Sequence, residues 1–278
     1  MSFNEGIIKM KKTLIFIFLS IIVTAFMAMG GYRLIGSGIA RFTSDFKALP
    51  SDNRILYEEG AVTLAEEAAR YLPQAIRTVE SRQYGSFGRP VTVYVFATSK
   101  SFSRFSGVSE EVIGAGLKDE VYLSGKLSNM MDKTRGILTH ELSHTQLSQT
   151  LGAIQFNRTL PRWFREGLAI YVADGGGATN ATEKETIDNF LEGKHFIPEI
   201  KGELLNINLS ATAELHPRIF YRQSGMFLQF LAQNHPAQLE KLLRGLQEGK
   251  AFEGQFIESF ERNVDEVLKD FIVTIKRT

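Results

Sequence analysis

The chain contains no cysteine. That absence excludes disulfides, thiolate metal sites, thiol nucleophiles and a lipid-modified N-terminal Cys, and it leaves His and carboxylates as the strong zinc ligands. An excess of either charge sign is also missing. The 32 Lys and Arg stand against 31 Asp and Glu, and the resulting +1 provides no electrostatic footprint for nucleic acid, so that class of partner is set aside. There is no low-complexity tract and no internal repeat. Histidine is scarce, with five in the chain, so two of them flanking a Glu at helical spacing carry information. What is present is an ordinary globular composition over 278 residues, long enough for one large domain or two lobes sharing a cleft.

Long apolar runs are limited to one. Lys9, Lys11 and Lys12 precede an uncharged stretch from Leu14 to Met29, which meets Gly30 and Gly31. At 1.5 Å per residue this reaches roughly 24 Å, and extension through Tyr32 nearly closes the gap to a hydrocarbon core of about 30 Å. Residues 1–32 therefore read as a signal anchor in the cytoplasmic membrane, or as a signal peptide whose cleavage would release a secreted protein. The lysines precede the run, which puts the remainder outside the cytoplasm, periplasmic or extracellular.

Residues 33–53 mix Gly, Ser, charge and Pro50 and read as a stalk. From Arg54 to Gln83 the apolar spacing suits an amphipathic helix with a kink or break at Pro73. Val91–Phe96 is a β-branched and aromatic run of strand length, and Glu120–Ser124 is a second short strand. Polar residues around Ser128–Asp132 offer N-caps for a helix to Leu151, stopped by Gly152. Pro161 opens a helix from Arg162 to Asp174, ended by Gly175–Gly177. Another helix covers about Ala181–Glu192. From Pro217 onward, three or four amphipathic helices are separated at Asn234–Pro236, Gly249–Lys250 and Arg262–Asn263. Strands early and helices late predict an α+β fold over 54–278, with a sheet lobe at about 54–152 and a helical lobe at about 153–278.

His140-Glu141-Leu142-Ser143-His144 lies in the first of the long central helices. Residues four apart share a helical face, so His140 and His144 can present both imidazoles to one ion. Glu141 stands beside them, suited to hold a water rather than the metal. A catalytic zinc needs a third protein ligand and one open position. A Gly three and a third His six residues after His144 are excluded, because those places hold Leu147 and Thr150. A downstream Glu is available instead: Glu166, in Pro161-Arg-Trp-Phe-Arg-Glu166-Gly-Leu-Ala169. A carboxylate on so apolar a helix costs free energy unless it is paired or metal-bound. The competing reading is a salt bridge to Arg162 or Arg165.

His-Glu-Leu-Ser-His followed by Trp-Phe-Arg-Glu-Gly-Leu-Ala resembles the gluzincin zinc metallopeptidases, in particular bacterial peptidase MA-like domains. The resemblance runs from about Val91 to the C-terminus, and its zinc motifs are its most specific part. It implies a zincin-like fold, one zinc per chain held by His140, His144 and Glu166, and Glu141 as general base. It also implies a peptide or protein substrate laid along the strand Glu120–Ser124 as an added strand. In related gluzincins a Tyr or His of the helical lobe stabilises the oxyanion. Tyr221 is the first candidate and His216 the second, while Tyr221 also reads as a core aromatic beside Phe220. Zinc aminopeptidases carry an acid that holds the substrate amine; Gly114-Ala-Gly-Leu-Lys118 lacks it, which favours an endopeptidase. The alternatives from other classes are a zinc-stabilised, non-catalytic binding or scaffold domain at the membrane, and a metal-free structural domain.

Overall fold

The computed structural model describes residues 44–178, 180–202 and 215–277. The apolar segment Leu14–Met29 and the first part of the expected stalk lie outside the described residues. Among those described, no helix is long and apolar enough to cross a membrane.

Among the described residues the architecture is α+β: a five-stranded mixed sheet and ten α-helices. In chain order these are β1 (Lys47–Leu49), β2 (Asp52–Tyr57), α1 (Val62–Gln83), β3 (Thr92–Val95), α2 (Ser99–Ser106), β4 (Gly114–Leu117) and β5 (Glu120–Leu123). There follow α3 (Thr134–Leu151), α4 (Ala153–Thr159), α5 (Arg162–Val172), α6 (Glu183–Leu191), α7 (Pro217–Asn234), α8 (Pro236–Gln247), α9 (Phe252–Phe260) and α10 (Val264–Arg277). The strand order is β1-β2-β3-β5-β4, with β2, β3 and β5 parallel and both edge strands antiparallel to their neighbours.

Strand alternation sets the two faces of the sheet. Val93 and Val95 point into the main core with α1 and α3, while Tyr94 and Phe96 point to the opposite face. There an aromatic cluster of Phe46, Tyr94, Phe96, Phe102, Phe105 and Tyr122 packs edge to face under α2.

Three expectations are corrected. The stalk does not extend to Asn53, nor does a helix begin at Arg54: Lys47–Leu49 and Asp52–Tyr57 form a hairpin that extends the sheet. Only Ile55 of β2 is fully buried, so the alternation that marks a strand is absent from the sequence. Pro73 does not break α1. It sits on the exposed face of one continuous helix, whose buried stripe of Leu64, Ala68, Leu72, Ala75 and Val79 packs on both sides of it. That burial outweighs the roughly 3 kcal/mol an interior proline costs. Finally, no side chain caps α3. Two 3₁₀ turns, Gly125–Asn129 and Met131–Lys133, feed directly into it.

The four helices after Pro217 and their three breaks match the periodicity of the sequence. The crossing of α7 on α5 is close because both helices carry glycine there. A Cβ on Gly167 would lie 2.6 Å from the Ser224 carbonyl oxygen, and one on Gly225 would lie 2.4 Å from Ile170 Cγ2.

Candidate metal centre

Helix α3 is buried on nearly all sides, including His140, Glu141, Ser143, Thr145 and Gln146. A helix with so many polar groups away from water needs partners for them. Gln146 finds the buried Gln83 amide at 2.7 Å, and Thr139 returns its hydroxyl proton to the Arg135 carbonyl. The two histidines meet each other and α5. His140 Nε2 and His144 Nε2 are 3.2 Å apart, and each is 3.5 Å from Glu166 Oε2.

These three distances are a test of metal fit. Tetrahedral ligands at zinc bond lengths of about 2.0–2.1 Å stand about 3.3–3.4 Å from one another. Two imidazole nitrogens and one carboxylate oxygen at 3.2, 3.5 and 3.5 Å match that triangle. His140, His144 and Glu166 form a group that can hold a metal ion. Arg162 and Arg165 make contacts with other groups as well. Arg162 approaches the Tyr221 hydroxyl at 3.4 Å and the Phe220 ring, while Arg165 hydrogen-bonds Asn157 and lies over Phe156.

The loop after α5 sets the tautomer of His140. Its Nδ1 is 3.0 Å from the Gly176 carbonyl oxygen, an acceptor, so Nδ1 carries the proton and the Nε2 lone pair faces the triad. The approach requires glycine. A Cβ on Gly176 would lie 2.5 Å from the Gly136 carbonyl oxygen, one turn before His140 on α3. A Cβ on Gly177, where φ is +88°, would lie 2.6 Å from His140 Nδ1 itself. The Gly175–Gly177 run, expected only to stop a helix, is therefore also part of the site. His144 packs its ring edge on Phe156, and its Nδ1 is buried with no hydrogen-bond partner among the described residues.

Electrostatics follow from burial and proximity. Burial pushes the Glu141 carboxyl up, against the pull of the His140 and His144 imidazoles. Burial acts the same way on Glu166, but there the facing imidazoles prevail and hold the carboxyl well below its ordinary value. For His140 burial disfavours charge, yet the carboxylates of Glu166 and Glu141 raise it above its ordinary 6.5. Tyr221 is pushed up to about 12, by the negative charge of Glu166 first and by burial second.

A cleft of about 690 Å³ opens over the triad, and Glu141, Tyr221, His216, Arg218 and Asn180 also line it. Tyr221 and His216 thus reach the same cleft from the start of α7. His216 Nδ1 accepts from the Arg218 N–H at 3.3 Å, which leaves Nε2 as the protonated nitrogen. One wall is β4. Its glycines let it lie against α3: a Cβ on Gly114 would be 3.0 Å from Glu141 Oε1, and one on Gly116 would be 2.5 Å from the Glu141 carbonyl oxygen. The Gly116 backbone N–H near the Glu141 carboxyl pulls it down slightly, against burial.

The expected edge strand is corrected by this arrangement. Glu120–Leu123 is interior, paired with β3 on one side and β4 on the other, and among the described residues the open edge along the cleft belongs to Gly114–Leu117. Glycine-rich Gly-Ala-Gly-Leu has low strand propensity, so this strand comes from its neighbours rather than from its own residues.

No protein-family model matches the chain, and a search of curated proteins finds no match to it.

Proposed function

We propose that the chain is a gluzincin-type zinc metallopeptidase with a zincin-like fold, acting as an endopeptidase outside the cytoplasm on a membrane anchor formed by residues 1–32. The observation that carries this reading is the position of Glu141: a buried carboxylate between a triad that fits zinc and an open strand edge. Zinc, if bound, would be held by His140, His144 and Glu166 and would supply a Lewis acid that activates a water beside Glu141.

The chain's own residues account for the rest. The unpaired edge of β4 offers main-chain N–H and C=O groups to an extended peptide, which orients its scissile carbonyl over the triad. Glu141 takes a proton from the water as its oxygen bonds to the carbonyl carbon, then delivers that proton to the nitrogen as the C–N bond breaks. Tyr221, kept protonated by Glu166 and by burial, donates a hydrogen bond to the developing oxyanion, and the Nε2–H of His216 is a second donor on the same side. No acid occupies Gly114–Lys118 to hold a free amine, which supports endo- rather than aminopeptidase activity.

The test is Glu141→Gln in the full chain, assayed on unfolded protein substrates and for bound zinc. The expected result is one zinc per chain in both proteins and a loss of cleavage of about 10²–10⁴-fold in the variant. Cleavage by the variant at the wild-type rate overturns the mechanism. Zinc without cleavage in the wild type favours a zinc-stabilised scaffold.

A further inference from the structure

Arg82 lies near the end of α1, far in sequence from every residue of the triad, yet it grips the segment that orients His140. Its Nη1 is 2.9 Å from the Tyr171 carbonyl oxygen, 3.0 Å from that of Val172 and 2.6 Å from Asp174 Oδ1. Tyr171 and Val172 end α5, the helix that carries Glu166. Both carbonyls lie at the C-terminal end of the helix, where a cation is the favourable group for the helix dipole, and that of Tyr171 also accepts the Asp174 N–H at 3.3 Å. Asp174 opens the glycine loop in a left-handed conformation at φ 51°, and Gly175 follows at φ 91°. Two residues after Asp174, the Gly176 carbonyl accepts the His140 Nδ1 proton.

We propose that Arg82 is a positioning residue for the metal centre, holding the α5 terminus and Asp174 so that the glycine loop presents its carbonyl to His140. The proposal rests on the reading of His140, His144 and Glu166 as metal ligands. It does not require Arg82 to contribute much to stability. The guanidinium is 32% exposed and the Asp174 carboxylate 59%, and ion pairs so exposed contribute little to folding. Its role is geometric. Gly175–Gly177 has no side chain of its own to define where its carbonyls point, and a planar guanidinium on three acceptors provides that definition from outside. Groups that orient a ligating histidine typically change metal affinity about 10–100-fold when removed.

The experiment compares the full chain with Arg82→Gln and Arg82→Lys. Zinc affinity is measured by competition with a chromophoric chelator, the cobalt-substituted protein by its visible ligand-field spectrum, and the metal-free protein by its melting temperature. Arg82→Gln is expected to bind zinc at least tenfold more weakly and to shift the cobalt bands, with the metal-free melting temperature lowered by only a few degrees. Arg82→Lys recovers part of the affinity. Should Arg82→Gln fail to fold, Asp174→Asn decides the matter, since Asn tolerates the left-handed conformation and only the charge pairing is lost. Unchanged zinc affinity and an unchanged cobalt spectrum in the folded variant overturn the proposal. Absence of zinc binding in the wild type instead overturns the metal reading on which it rests.

Discussion

Glu166 sits on a helix whose neighbours Trp163, Phe164, Leu168, Ala169, Ile170 and Val172 are all buried, and its carboxylate lies 3.5 Å from each of two imidazoles. Without metal, this triangle must be stable by charge pairing alone, which makes its pH dependence predictable. Glu166 is depressed below 4.5, so its contribution is present above that pH and is lost as pH falls through the depressed value. His140 is raised above 6.5, so its contribution is complete below that pH and is lost as pH rises through the raised value. Glu141, raised above 4.5 by burial, adds a contribution that is complete below that pH and is lost as pH rises through its raised value, so the metal-free protein should be most stable near pH 4.5 and lose stability as pH rises beyond it. Zinc binding needs the neutral imidazole, so the stabilisation by added zinc should grow over the same rise in pH. Melting temperatures at pH 5, 6, 7 and 8, with and without zinc, check both statements. A metal-free protein that gains stability from pH 6.5 to 8 contradicts them.

Among the elements, the pairing of β4 with α3 is what the proposed peptidase activity depends on, since in that proposal β4 aligns the substrate beside Glu141. A four-residue edge strand with two glycines is a weak strand by propensity. It is held by its ladder with β5 and by its seat on α3, which no residue with a Cβ could share at Gly116. Gly116→Ala inserts a methyl group 2.5 Å from the Glu141 carbonyl oxygen, and backbone cannot yield as a flexible side chain does. Overpacking of this kind costs about 1–3 kcal/mol. The strand must shift by a distance of order 1 Å, a misplacement that lowers catalysis about 100-fold. A lower melting temperature together with a fall in kcat/KM on a peptide substrate is the expected result. A fully active variant would remove β4 as the substrate-aligning edge.

At the level of the whole molecule, the triad joins elements that are otherwise separate in the chain. His140 and His144 come from α3, which packs against the sheet, and Glu166 comes from α5, which packs against α7. A metal held by all three ties the sheet side of the molecule to its helical side. Binding to the folded state alone adds about 2.7 kcal/mol at a free concentration one hundred times Kd. For a domain of this size about 1 kcal/mol moves the melting temperature by roughly 2–4 °C. Chelation should thus lower the melting temperature by about 5–10 °C, and calorimetry before and after treatment with a chelator checks it. No change on chelation, in protein shown by metal analysis to have carried zinc, would count against a metal bridging the two sides.

The metal triad was legible in the chain because each of its signals is local. Two His four apart on a helix share a face whatever surrounds them, and a carboxylate in an apolar helix requires a partner wherever that helix packs. The helices after Pro217 were legible for the same reason, since 3.6-residue periodicity and Pro or Gly breaks are properties of short segments. The strands β1, β2 and β4 were not. Their residues do not alternate and, Ile55 and Tyr57 apart, do not favour extended backbone; they are strands because neighbours offer ladder hydrogen bonds, a cause that acts between distant segments. The same holds for the edge along the cleft, for the Gly176 carbonyl on His140 and for the grip of Arg82 on the α5 terminus. The residues that can bind metal follow from spacing along one helix and the chemistry of one carboxylate. Which carbonyl orients them, and which strand edge faces them, depended on contacts between segments that only the folded chain brings together.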